Sequence, residues 1–142
     1  MKNYRTWLKT AAVFQLINAV LHAITLFVSL PPKNATEKQL IDLMDSYKFD
    51  LGAGFHRTMG DLLFALSACF TLVCLLGGLL NWFLLSKKAS PEIMKGVINI
   101  NLIVFGICLI IVAMFAFLEP IIMVALIVLF LLLARVLVSK SK

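Results

Sequence analysis

Long apolar runs broken by short polar segments dominate this chain from its first residues to its last. A bilayer core about 30 Å thick requires roughly 20 residues of apolar helix to cross it. Four runs meet that length. Residues 62–80 carry no charge, and residues 97–118 contain only Asn99 and Asn101 as strongly polar groups. Residues 121–138 are apolar except for Arg135, whose long side chain can reach the interface. Residues 11–30 are interrupted by Gln15, Asn18 and His22. With their end turns these runs predict spans over about 11–30, 58–85, 92–118 and 121–138. A cleaved leader competes for the first, because Lys2, Arg5 and Lys9 precede it. That run exceeds a leader's apolar core, however, and residues 31–35 offer no small-x-small cleavage site, so a retained span is expected.

The connections are unequal. Glu119-Pro120 reads as a tight turn, and Pro91 suits the first turn of a helix opening after residues 86–90. Only residues 31–55 form a long connection. Thr36-Glu37-Lys38-Gln39 reads there as a capping box. Leu40, Met44, Tyr47 and Leu51 recur at helical spacing opposite Glu37, Asp42 and Asp45. An amphipathic helix over about 37–49 follows, lying in the headgroups or capping the bundle. The segment Leu51-Gly52-Ala53-Gly54 ends it. Asn34-Ala35-Thr36 also matches a glycosylation sequon, a triplet common by chance.

In lipid, small and polar residues mark the helix faces that touch. Gln15, Asn18, His22, Thr25 and Ser29 form one such stripe on the first helix. Gly60, Phe64, Ser67, Thr71, Cys74, Gly78 and Asn81 form another on the second, and Asn99, Leu102, Gly106, Leu109, Ala113 and Ala116 one on the third. Gly78 and Gly106 are thereby expected at close helix approaches. The fourth helix shows no comparable stripe and is expected at the periphery or against another subunit. The fold class expected is all-α: a single-domain, up-down four-helix transmembrane bundle with one outward amphipathic helix in its first loop.

Composition agrees: 62% of the 142 residues are hydrophobic and 14% charged, against about 45–50% and 25% in soluble domains. The net charge of +6 does not indicate a nucleic-acid partner, since no basic stripe interleaves with aromatics in a water-exposed segment. The basic residues sort by loop instead. Lys2, Arg5, Lys9, Lys87, Lys88, Lys95, Arg135, Lys140 and Lys142 fall on one side, and Lys33, Lys38, Lys48 and Arg57 on the other. The positive-inside rule then puts both termini in the cytoplasm of an inner-membrane protein. Cys69, Cys74 and Cys108 lie in apolar runs without redox or zinc-ligand spacing, so no metal is expected. No cofactor motif is present either.

Ionisable groups within spans are costly and mark candidate sites. His22, His56, Arg57, Asp61 and Glu119 are all expected near the outer ends of the helices, with Asn18 one turn below His22. Arg57 and Asp61, at i and i+4, could pair on one helix face, and His22 could meet Asp61. This constellation is either a structural polar clamp under the amphipathic helix or a candidate pocket for a membrane lipid or small amphipath. No catalytic constellation emerges, and a non-enzymatic role is expected. The alternatives are a lipid-modifying enzyme using His22 or Asp61 as acid–base group, and an accessory subunit or homo-oligomer docking through the fourth helix.

The stretch Asn18-Ala-Val-Leu-His22, then Leu43-Met44, Gly54-Phe-His-Arg-Thr-Met-Gly-Asp61 and Phe115-Ala-Phe-Leu-Glu-Pro120 resembles a family of small, uncharacterised four-span bacterial inner-membrane proteins. The resemblance covers nearly the whole chain. It implies the same fold and topology, with a helix in the long outward loop, and carries no activity.

Overall fold

The computed structural model describes residues 4–28 and 31–139. Lys2, Ser29, Lys140 and Lys142, and the topology and stripe readings resting on them, lie outside the described residues. Five helices and one small hairpin make up the fold: α1 (Tyr4–Thr25), α2 (Ala35–Ser46), β1 (Lys48–Asp50), β2 (His56–Thr58), α3 (Met59–Ser86), α4 (Pro91–Phe115) and α5 (Leu118–Val138). Helices α1, α3, α4 and α5 are long and apolar enough to cross a membrane. The chain divides into two compact units, residues 1–19 with 73–142, and residues 20–72.

The first unit is a four-helix bundle. Its core holds Leu8, Ala11 and Ala12 of α1, Cys74, Gly77 and Gly78 of α3, and Met94, Ile98 and Phe105 of α4. Helix α5 buries Val124, Ile127, Leu131, Ala134 and Val138 at alternating three- and four-residue spacing. That corrects the expectation of a peripheral fourth helix. Its seam is built of branched apolar residues and so carries no polar contrast in the sequence. Phe130 adds ring contacts to α1, with centroids 5.8 Å from Trp7 and 5.1 Å from Phe14.

Glycine fixes the closest helix approach. A Cβ at Gly78 would lie 2.7 Å from Leu16 Cγ and 3.1 Å from the Ala12 carbonyl oxygen, so α1 and α3 meet backbone to side chain there. The same atom at Gly106 would meet nothing within 4 Å. The expected stripe on α4 is thus displaced by one position: Met94, Ile98, Asn101 and Phe105 face the bundle, while Asn99 and Ala113 are exposed.

The ends of these helices follow from local chemistry. Helix α3 closes with the Ala89 N–H donating to the Leu84 carbonyl and the Lys88 N–H to that of Leu85. This is a Schellman motif, with Lys88 in the left-handed region at φ 53° where glycine is usual. Ser90 then caps α4 and Pro91 takes its first turn, where the missing N–H costs nothing. The α4–α5 turn lies at Ala116-Phe117 rather than at Glu119-Pro120, because Pro120 is accommodated in the first turn of α5.

The second unit contains the end of α1, then α2, the hairpin and the beginning of α3. Helix α2 starts two residues before the expected position. Asn34, in extended conformation, accepts a hydrogen bond from the Glu37 N–H at 2.8 Å, so it is Asn34 rather than Thr36 that caps the helix. Glu37 in turn accepts from the Lys33 N–H at 2.6 Å. The helix stops at Ser46, and residues 48 and 49, expected to be helical, belong to strand β1. Antiparallel pairing sets Lys48 opposite Thr58, Phe49 opposite Arg57 and Asp50 opposite His56. The connecting loop needs three consecutive positive φ angles, 81° at Gly52, 52° at Ala53 and 80° at Gly54. Glycine supplies the outer two without steric cost.

Candidate functional site

The local chain path decides where the candidate residues go. Thr58 ends β2 and caps α3: its backbone N–H donates to Asp61 Oδ2 at 3.0 Å, and its Oγ1 accepts from the Asp61 N–H at 3.1 Å. This is a reciprocal capping box with aspartate at the third helical position. Arg57 therefore lies in a strand, before the helix begins. The expected i, i+4 pair on one helix face is not formed, and no ion pair within 4.0 Å joins Arg57 to Asp61. Instead the Arg57 guanidinium lies 5.9 Å from the centroid of the Phe55 ring.

His22 is half-buried. Its ring meets the edge of Phe70 at 5.2 Å, and its Nδ1 lies 3.3 Å from Thr25 Oγ1. Nine residues separate Phe70 from Asp61 along α3, which is about 13 Å at helical rise. His22 and Asp61 consequently sit at different levels, not as a pair. A second ring contact, Phe27 with Phe64 at 6.1 Å, lies between those levels. His56 is exposed on β2.

Asn18 and Glu119 belong to the first unit. The Asn18 carboxamide donates to Cys74 Sγ at 3.3 Å. Glu119 is exposed in the first turn of α5, where the helix dipole favours a negative charge. Of the six candidate residues, the geometry keeps His56, Arg57 and Asp61 together at the loop–α3 junction, with His22 deeper along α3.

That junction holds a surface hollow of about 400 Å³ lined by Asp45, Thr58, Gly60, Asp61 and Phe64. Gly60 makes it possible. A Cβ there would lie 2.6 Å from Asp45 Oδ1, so the carboxylate at the end of α2 rests in the notch glycine leaves in the first turn of α3. Cross-strand pairing places Lys48 beside Thr58 on one face of the hairpin, and alternation puts Arg57 on the other. Two carboxylates and a hydroxyl thus line the hollow beside Phe64, with Lys48 across the hairpin from Thr58. The participation of Asp45 was not legible from spacing, because it depends on the hairpin folding α2 back.

A second polar cluster lies within the four-helix bundle. Gln15 Nε2 donates to Asn101 Oδ1 at 3.0 Å, and Asn81 Nδ2 donates to Gln15 Oε1 at 2.9 Å and to Asn101 Oδ1 at 3.3 Å. Asn101 Nδ2 turns back to the Val97 carbonyl of its own helix at 2.9 Å. All three carboxamides are buried, and Asn81 Oδ1 has no partner among the described residues. Gly77 lies against them, since a Cβ there would be 2.8 Å from Gln15 Nε2. The cluster contains no ionisable group. It joins α1, α3 and α4 and acts as a clamp. Nearer the chain's basic ends, Arg135 Nε donates to Asn99 Oδ1 and ties α5 to α4.

No group of three or more His, Cys, Asp or Glu side chains arranged to hold a metal ion occurs among the described residues. Compared with protein-family models, curated proteins and solved structures, the chain matches none. What the fold itself defines is an all-helical protein with four helices able to span a membrane and a structured connection between the first two.

Proposed function

We propose that the chain is a multi-pass inner-membrane protein, both termini cytoplasmic, that binds a membrane lipid or similar small amphipath without altering it. The uneven distribution of lysine and arginine between the connections supports the orientation. The binding reading rests on the hollow at the loop–α3 junction, where the carboxylates of Asp45 and Asp61 adjoin the apolar Phe64 wall and Lys48 stands across the hairpin from Thr58. An amphipath needs both kinds of surface in one place. In this reading Asp45, Asp61 and Lys48 take the polar head. Phe64 and Phe27 border the apolar chain, and Phe70 and His22 lie deeper along the same two helices.

The test is mass spectrometry of molecules retained by protein purified in a mild detergent. The native protein should hold one class of amphipath at fixed stoichiometry. Asp45→Ala and Phe64→Ala should lose it while keeping their melting temperature, since both side chains are exposed. Equal retention by the variants, or no retained molecule in the native protein, contradicts the reading.

A further inference from the structure

Helix α2 has most of its apolar face uncovered. At 100° per residue, Leu40, Leu43, Met44 and Tyr47 fall on one face, and Lys38, Asp42 and Asp45 on the other. Asp45 of the polar face rests in the notch at Gly60, and of the apolar face only Met44 is half-buried. No residue of α2 is buried. Leu40, Leu43 and Tyr47 are 57%, 59% and 56% exposed, and Leu51 and Phe55 flank the hairpin turn at 54% and 57%. Leu40, Leu43 and Tyr47 are thus left for something else to cover.

We propose that this face is seated in the headgroup–acyl boundary of the leaflet in which α3 begins. The occupant follows from where the module is tethered. Helix α3 starts directly after β2, and α2 touches the first turn of α3 through Asp45 and Gly60. The loop therefore cannot stand away from the level at which α3 starts. Apolar residues are exposed on α3 from that turn onward, beginning with Met59 and Leu63. The apolar face of α2 lies at the level where this lipid-suited surface begins. Charge supplies the second constraint. Across residues 31–58, Lys33, Lys38, Lys48 and Arg57 are matched by Glu37, Asp42, Asp45 and Asp50. A module without net charge gains nothing from anionic lipid, so apolar burial holds it and seating is as good on a neutral surface.

The inference rests on α1 and α3 being spans, and it does not need the hollow to bind an amphipath. Its test uses tryptophan fluorescence of the full-length protein in phosphatidylcholine vesicles with and without brominated acyl chains. Signals are read as increments over the parent, which carries Trp7 and Trp82. Leu43→Trp should show at least about twofold more bromolipid quenching than Asp42→Trp, as expected for opposite faces of an interfacial helix. Added phosphatidylglycerol should leave that difference unchanged. Leu66→Trp reports on the span, Leu66 being 69% exposed on α3. Quenching of Leu66→Trp without quenching of Leu43→Trp overturns the seating alone. Absence of quenching in both variants means the span reading has failed and the seating with it. A blue-shifted but unquenched signal from Leu43→Trp places the face against protein, whether a second copy or another partner, and also overturns the proposal.

Discussion

Replacing Asn101 by leucine, a side chain of the same branched shape, removes the acceptor on which two other helices converge. Asn101 Oδ1 takes hydrogen bonds from Gln15 on α1 and from Asn81 on α3. Side-chain hydrogen bonds between helices in membrane proteins contribute about 0.6 kcal/mol each on average, and at most about 1.7. Losing two costs about 1 kcal/mol on that average. Gln15 Nε2 then stands buried without its partner, which adds roughly 1–3 kcal/mol. The expected loss for Asn101→Leu is therefore about 2–4 kcal/mol, near the upper part of what single substitutions do. In Gln15→Leu/Asn101→Leu the Gln15 donor is gone but the buried Asn81 Nδ2 loses both of its acceptors, so the double variant should cost more than either single one. Reversible unfolding by sodium dodecyl sulfate in mixed micelles, followed by circular dichroism, gives all four free energies. A loss below about 0.5 kcal/mol for Asn101→Leu, the range of ordinary surface substitutions, would refute the clamp.

Two further outcomes can be read in the same assay. Gly78→Leu should cost about 1–3 kcal/mol through overpacking against Leu16 and the Ala12 carbonyl, whereas Gly106→Leu should cost under about 0.5 kcal/mol because its surroundings are open; similar losses at both would mean the α1–α3 approach is misplaced. Thr58→Ala, which removes the hydroxyl that caps α3, should cost about 1 kcal/mol, and Thr58→Ser should restore most of it; equal losses in the two variants would show that the cap is not what stabilises this end.

The four long helices were legible because lipid-suited runs differ so strongly in hydropathy from their connections. Polar seams were legible where amides interrupt a run, as at Gln15, Asn18 and Asn81, all buried as their stripes require. The convergence of Gln15 with Asn101 was also within reach of the sequence. Each lies about 15 Å along its helix from the basic end of the chain, at 1.5 Å per residue. On α4 the stripe failed by one position because glycine and alanine were taken as contact markers, while the bundle uses Ile98 and Phe105. For α5 no contrast exists to read, since seam and lipid faces are both aliphatic.

The loop–α3 junction was harder for a different reason. Residues 48–58 look like the tail of one helix and the head of another, and only the run of positive φ from Gly52 to Gly54 turns them into a hairpin. Once the hairpin forms, Arg57 leaves the helix, Asp61 commits to the cap, and Asp45 arrives from α2. A site built by such a fold-back has no signature in local spacing.

Topology decides most directly whether the proposed function holds, because an inner-membrane protein with both termini cytoplasmic requires the first loop to face outward. Single cysteines introduced at Lys38 in α2 and at Lys87 in the α3–α4 connection can be labelled in intact cells with a membrane-impermeant thiol reagent, against the background of Cys69, Cys74 and Cys108. The account predicts that Lys38→Cys reacts in intact cells and Lys87→Cys only after the cells are opened. Labelling of Lys87→Cys but not Lys38→Cys in intact cells would contradict it, as would equal labelling of the two.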